Sequence, residues 1–78
     1  MKEKILDILC EISGEELDDI ELDLFSEGIV DSFIIINLVV ELEKAFDISI
    51  DIDAITFENF CTVKAIMEMV KKLCGNFE

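Results

Sequence analysis

Asp31-Ser32-Phe33-Ile34-Ile35-Ile36-Asn37-Leu38-Val39-Val40-Glu41-Leu42-Glu43-Lys44-Ala45-Phe46 is the most regular stretch of the chain. At about 100° per residue, Ile35, Leu38, Val39, Leu42, Ala45 and Phe46 fall in one arc, the pattern of a helix that buries one face. The spacing predicts a helix over 32–46. The dipeptide Asp31-Ser32, taken by itself, reads as an ordinary N-cap. The opposite arc asks for more, because on a soluble helix it should be polar and it holds Phe33, Ile36 and Val40 instead. These three form an apolar stripe that begins beside Ser32 and is rimmed by Asn37, Glu41 and Glu43. Such a stripe either docks a partner or packs beneath another part of the chain. Phe33 and Val40 are read as docking residues; Ile36 leaves both readings open.

The neighbouring segments fill in a small helical protein. Upstream, Ile5, Ile8, Leu9 and Ile12 recur at helical spacing over 2–12, and Ser13-Gly14 ends that helix. From Glu15 to Asp31 the chain is acid-rich with Leu17, Ile20, Leu22, Leu24 and Phe25 scattered through it, so an ordered loop of 17 residues is expected. Connections of that length are usually functional. Downstream, Ile48, Ile50 and Ile52 alternate with polar residues, but one short strand has nothing to pair with in so small a chain, and an extended connection is expected. Asp53 is the expected N-cap of a short helix through Phe57 and Phe60. Thr62 caps a last helix carrying Val63, Ile66, Val70 and Leu73 on its apolar face, and Gly75 ends it. The expected fold is all-α: a small antiparallel four-helix bundle of three main helices and one short one, with a long first loop, forming a single domain over 1–78.

Charge and composition exclude several roles. The 78 residues hold six lysines against nineteen acids, a formal net charge of −13, and no Arg, His, Trp, Tyr or Pro. Yet 53% of the residues are hydrophobic, too many for a disordered acidic tail. Phosphate contacts supply most of the affinity for nucleic acid, so an acidic chain without Arg is a poor binder of nucleic acid or anionic membrane. Without His there is no imidazole for a catalytic dyad, and hydrolysis through Ser32 has no general base. Cys10, Cys61 and Cys74 are odd in number and lack C-x-x-C spacing, which fits a reducing compartment. Cys10 and Cys61 are expected as small buried apolar residues. The opening Met1-Lys2-Glu3-Lys4 leads into an amphipathic stretch rather than a signal peptide, and no apolar run is long enough to span a membrane. A cytoplasmic location follows as the expectation. Asp47 to Glu58 places acids or Ser at positions 1, 3, 5, 7 and 12 of a calcium-type loop. Position 6 is Ile52, however, where that loop requires glycine, so no metal site is assigned.

The run Asp23-Leu24-Phe25-Ser26-Glu27-Gly28-Ile29-Val30-Asp31-Ser32-Phe33, followed by Leu38-Val39-Val40-Glu41-Leu42-Glu43-Lys44-Ala45-Phe46-Asp47-Ile48, resembles the acyl carrier proteins. Phe57-Glu58-Asn59-Phe60 and Thr62-Val63-Lys64-Ala65-Ile66 are similar to that family's third and fourth helices. The resemblance covers nearly the whole chain. It implies a non-enzymatic carrier with 4′-phosphopantetheine attached to Ser32 by a phosphopantetheinyl transferase, Asp31 being the motif acid that helps position the transferase and its magnesium. Glu27-Gly28-Ile29-Val30-Asp31-Ser32-Phe33 is similar to the free-standing D-alanyl and other aminoacyl carriers, which implies loading by an adenylating ligase. Ile34-Ile35-Ile36 and Asn37 depart from their pattern, so a fatty-acid or polyketide carrier served by acyltransferases or synthases stays open. A further alternative is an acidic interaction module whose Ser32 is never modified. Between Ile5 and Glu43 there are twelve acids and no base, a negative field suited to basic docking surfaces on partner enzymes. A monomer is expected.

Overall fold

The computed structural model describes residues 2–75; Met1 and residues 76–78, at the two ends of the expected domain, lie outside the described residues. Four helices run α1 (Lys2–Ser13), α2 (Ser32–Phe46), α3 (Phe57–Phe60) and α4 (Val63–Cys74), with one 3₁₀ turn at Ile52–Ala54. Among the described residues there is no strand. α1 packs on α2 and α4, α2 also packs on α4, and α3 packs on α4. The radius of gyration is 11.3 Å, close to the value of about 11.5 Å expected for a compact chain of this length.

The helix ends follow from local chemistry. Ser13 Oγ donates back to the Leu9 carbonyl at 2.7 Å, and the N–H of Gly14, at φ +76°, returns to the Cys10 carbonyl. That left-handed residue lets the chain leave α1 at low cost. Asp47 does the same for α2 at φ 55°, the one described non-glycine residue with positive φ. Both the Asp47 and Ile48 N–H groups donate to the Glu43 carbonyl. Thr62 caps α4 as expected, its hydroxyl accepting from the Ala65 N–H at 3.0 Å, and Gly75 closes the helix at φ +68°. α3 is capped by Thr56, whose hydroxyl accepts from the Asn59 N–H, and not by Asp53. Asp53 sits inside the 3₁₀ turn instead, because the Ala54 N–H already turns back to the Asp51 carbonyl and consumes the residues a longer α3 would need.

The core is Ile5, Ile8 and Leu9 of α1, Leu38 and Leu42 of α2, Phe60 of α3, and Val63, Ile66, Met69 and Val70 of α4, completed by Leu24, Ile29, Val30 and Ile50 from the connections. Periodicity located the helical members, but it overstated the buried arc. On α2, Ile35, Val39 and Phe46 are half-buried and Ala45 is exposed; on α4, Leu73 is exposed near the helix end. Both exposed residues line open grooves, Ala45 the one between α1 and α2 and Leu73 one between α3 and α4. Cys10 and Cys61 are half-buried rather than enclosed, and Cys74 is exposed.

The long loop is not structureless. Asp19 Oδ1 accepts the Glu21 N–H, and Asp23 Oδ1 accepts both the Phe25 and Ser26 N–H groups at 3.1 Å. Asp23 Oδ2 takes the Ser26 hydroxyl at 3.0 Å. Aspartate side chains thus replace the ladder that a regular element would supply. Two main-chain bonds then fasten the loop to the α3–α4 corner: the Leu24 N–H donates to the Cys61 carbonyl at 2.8 Å, and the Lys64 N–H to the Ile20 carbonyl at 2.9 Å. The second satisfies one of the free N–H groups in the first turn of α4.

The main-chain and hydroxyl donors of Ser26 hold the Asp23 carboxyl below its usual 3.8, with the Phe25 N–H adding to the effect. A carboxylate stabilised in the folded state contributes fully above its unfolded value and loses that contribution as pH falls through the lowered folded value. Asp23→Ala is therefore expected to lower the melting temperature at pH 7, with the gap from the parent protein closing below about pH 4. Thermal melts followed by circular dichroism across that range check this; a gap that stays constant in acid would contradict it.

Candidate functional site

The start of α2 is placed by the end of the loop. The Ile29 and Val30 N–H groups both donate to the Leu24 carbonyl, at 2.9 and 3.2 Å, and both side chains are buried. Gly28 makes the turn possible at φ +72°, with nothing within 4 Å of where a Cβ would stand. Only the backbone conformation therefore selects glycine at this position. One residue beyond Val30, Asp31 is extended at φ −144°, and its Oδ1 accepts the Ile34 N–H at 2.9 Å while its carbonyl takes the Ile35 N–H. The N-cap expected from the dipeptide is thus Asp31. Ser32 is the first helical residue and is exposed, and its hydroxyl has no hydrogen-bond partner among the described residues.

This corner suits an anionic substituent on a serine oxygen. A helix N-terminus carries partial positive charge, and after capping by Asp31 the N–H groups of Ser32 and Phe33 have no intramolecular acceptor among the described residues. A phosphodiester on this exposed hydroxyl would stand near those donors and take up their free hydrogen-bonding capacity. The residues present fit a covalent phosphate-linked group.

The stripe on α2 is bare. Phe33 is 72% exposed, Ile36 64% and Val40 46%. The alternative in which the loop covers them is not the one the fold uses: Leu24 is buried and Leu22 and Phe25 pack against the core instead. Asn37 and Glu41 are exposed beside the stripe, Glu41 lying 3.8 Å from Lys44 on the surface. Glu43 is different. It is half-buried, and its Oε2 accepts the Ile50 N–H at 2.8 Å. Sequence reasoning missed a second exposed apolar group, Ile52, Ile55 and Phe57, in the connection to α3 and its first turn. Alternation over 48–52 did point to a two-faced segment, yet only packing shows that Ile50 faces inward and that Ile52 is left 82% exposed. An open groove of about 690 Å³ between α1 and the later part of α2, with Lys4, Glu11, Glu41 and Lys44 in its wall, contains none of residues 28–37.

A small acidic helical fold with an exposed serine opening its second helix defines a class, and comparison with known proteins agrees. Residues 3–70 match the family model described as the phosphopantetheine attachment site. The chain belongs to this family of carrier proteins, whose members bear 4′-phosphopantetheine covalently and are served by a phosphopantetheinyl transferase and partner enzymes. It is 46% identical over 74 residues to a D-alanyl carrier protein of Lactococcus lactis subsp. cremoris (strain MG1363), covering 92% of this chain and 94% of that protein. It is 39% identical to the D-alanyl carrier protein of Streptococcus uberis, with 94% of each chain covered. For the D-alanyl carrier protein of Lactobacillus delbrueckii subsp. bulgaricus (strain ATCC BAA-365 / Lb-18) the identity is 31%, over 94% of this chain and 92% of that one. No helix among the described residues is long and apolar enough to cross a membrane.

The capping geometry makes the structural use of Asp31 separable from any recognition use. Asp31→Asn, which keeps an acceptor for the Ile34 N–H, is expected to leave stability within a few tenths of a kcal/mol, whereas Asp31→Ala costs about 1 kcal/mol. Urea unfolding of the two variants checks this, and equal destabilisation by both would remove the cap from the account.

Proposed function

We propose that this chain is a single-domain, monomeric cytoplasmic D-alanyl carrier without catalytic activity of its own. It bears 4′-phosphopantetheine on Ser32 and is loaded by an adenylating ligase. The observation that carries the proposal is the free, exposed Ser32 hydroxyl at the capped N-terminus of α2, in a chain 46% identical to a D-alanyl carrier protein. When attached, the arm supplies a thiol that holds the acyl group as a thioester beyond the protein surface. Asp31 has two uses in this reading: Oδ1 holds the helix start, and Oδ2 remains for the transferase and its magnesium.

Docking divides between attraction and fit. The acids that crowd residues 7–43 draw in basic surfaces and set a fast, salt-sensitive association rate. Phe33, Ile36 and Val40, with exposed Asn37 and Glu41 beside them, supply the apolar patch on which the partner settles. The absence of His from the whole chain favours a carrier over a hydrolase.

Incubation with a phosphopantetheinyl transferase and coenzyme A is expected to add one arm to the parent protein and none to Ser32→Ala. Intact-mass measurement decides it, and an unmodified parent chain rejects the carrier reading in favour of an interaction module. With the arm in place, Val40→Asp or Phe33→Asp is expected to slow loading by an adenylating D-alanine ligase roughly tenfold or more while far-UV circular dichroism stays helical. Unchanged loading kinetics would return the stripe to a plain surface feature.

A further inference from the structure

Glu43 is the residue whose observed bonds least resemble those of a docking charge. Its main-chain carbonyl accepts the Asp47 and Ile48 N–H groups, and its side-chain Oε2 accepts the Ile50 N–H at 2.8 Å. One residue therefore ends α2 and also holds the N–H of the fourth residue beyond that end. The Ile50 side chain is buried and the bond to Glu43 is partly buried, so losing this acceptor leaves a poorly solvated N–H. Two residues further on, Ile52 is 82% exposed, followed by exposed Ile55 and Phe57. From Asp47 to Glu58 the segment carries Asp47, Asp51, Asp53 and Glu58 and no base.

We infer that Glu43 is a positioning residue, which latches the α2–α3 connection and thereby presents Ile52 to the basic surface of the loading enzyme. The inference rests on the carrier reading above and deepens it by adding a second docking element. The occupant is the same adenylating ligase, because the acids flanking Ile52 carry the sign of charge that the α2 face carries and complement the same basic partner. Glu43 works through hydrogen-bond geometry. Its charge is secondary, since a neutral amide oxygen also accepts the Ile50 N–H, in a weaker bond of the same geometry.

Glu43→Gln and Glu43→Ala separate geometry from charge, and Ile52→Ala tests the residue through which the latch acts. The full chain carrying its arm is used throughout. Hydrogen exchange at the Ile50 amide is expected to be near the parent rate in Glu43→Gln and at least tenfold faster in Glu43→Ala. For loading with D-alanine, Glu43→Ala is expected to raise KM about five- to tenfold with kcat within twofold, and Glu43→Gln to restore KM to within twofold. Ile52→Ala is expected to raise KM similarly without altering Ile50 exchange, and the double variant Glu43→Ala/Ile52→Ala to be no worse than the worse single change. Equal KM effects of Gln and Ala, or additive effects in the double variant, would overturn the inference and leave Glu43 as a docking charge. Unchanged Ile50 exchange in Glu43→Ala would overturn it as well. A parent chain that accepts its arm but not D-alanine rejects the ligase assignment, while Ile50 exchange still decides the latch.

Discussion

The main chain of Leu24 is the constraint on which the rest of the molecule depends. Its N–H donates to the Cys61 carbonyl at the α3–α4 corner, and its carbonyl accepts from both Ile29 and Val30 just ahead of α2. The side chain between these bonds is completely buried. One residue therefore joins the long loop to the far corner of the bundle and fixes where the second helix begins. Asp31 caps its helix locally, through the Ile34 N–H three residues on, while the tether decides where that capped end stands in the molecule. Three polar main-chain bonds around a dry side chain are also hard to rearrange, since each buried group released would need a new partner.

From that tether the functional corner follows by short steps. Ile29 and Val30 are drawn inward, Gly28 takes the positive φ that reverses the chain, and Asp31 is left extended with its carboxylate over the first turn. Ser32 then stands exposed at the positive end of a 15-residue helix. Negative charge surrounds it on the loop and on α2, yet the nearest fixed dipole favours an anion. The two fields act at different ranges: helix-end donors favour an anion placed at the corner, and the wider acidic surface extends a negative potential into solution. The apolar stripe remains uncovered because the loop spends its own anchors on the core.

Much of this was legible in the residues. Helical spacing gave all three long helices and the short one, and cap chemistry gave Ser13-Gly14, Asp31, Thr62 and Gly75 at or beside their observed boundaries. The serine and its acid stood out because they open the most regular segment. What periodicity lacked was the fit between helices: Ala45 and Leu73 lie in the right arcs but face open grooves that no neighbour fills. Asp53 was a plausible cap by type, and lost to Thr56 because a 3₁₀ turn intervenes. Ile29 and Val30 gave no periodic signal at all, although both belong to the core.

By itself the sequence determined the helices, the acidic field, the lack of any imidazole and the motif around Ser32, because each depends on residue type or on spacing within one element. Tertiary structure alone decided which apolar residues stay outside, how the loop is tethered, and that the carboxylate of Glu43 is bonded to a peptide seven residues away. Those outcomes turn on which of several chemically equivalent acceptors and anchors meet when the elements close on one another. A count of acids along the chain cannot tell a solvated Glu41 from a latched Glu43, because the difference lies in the position of the Ile50 N–H.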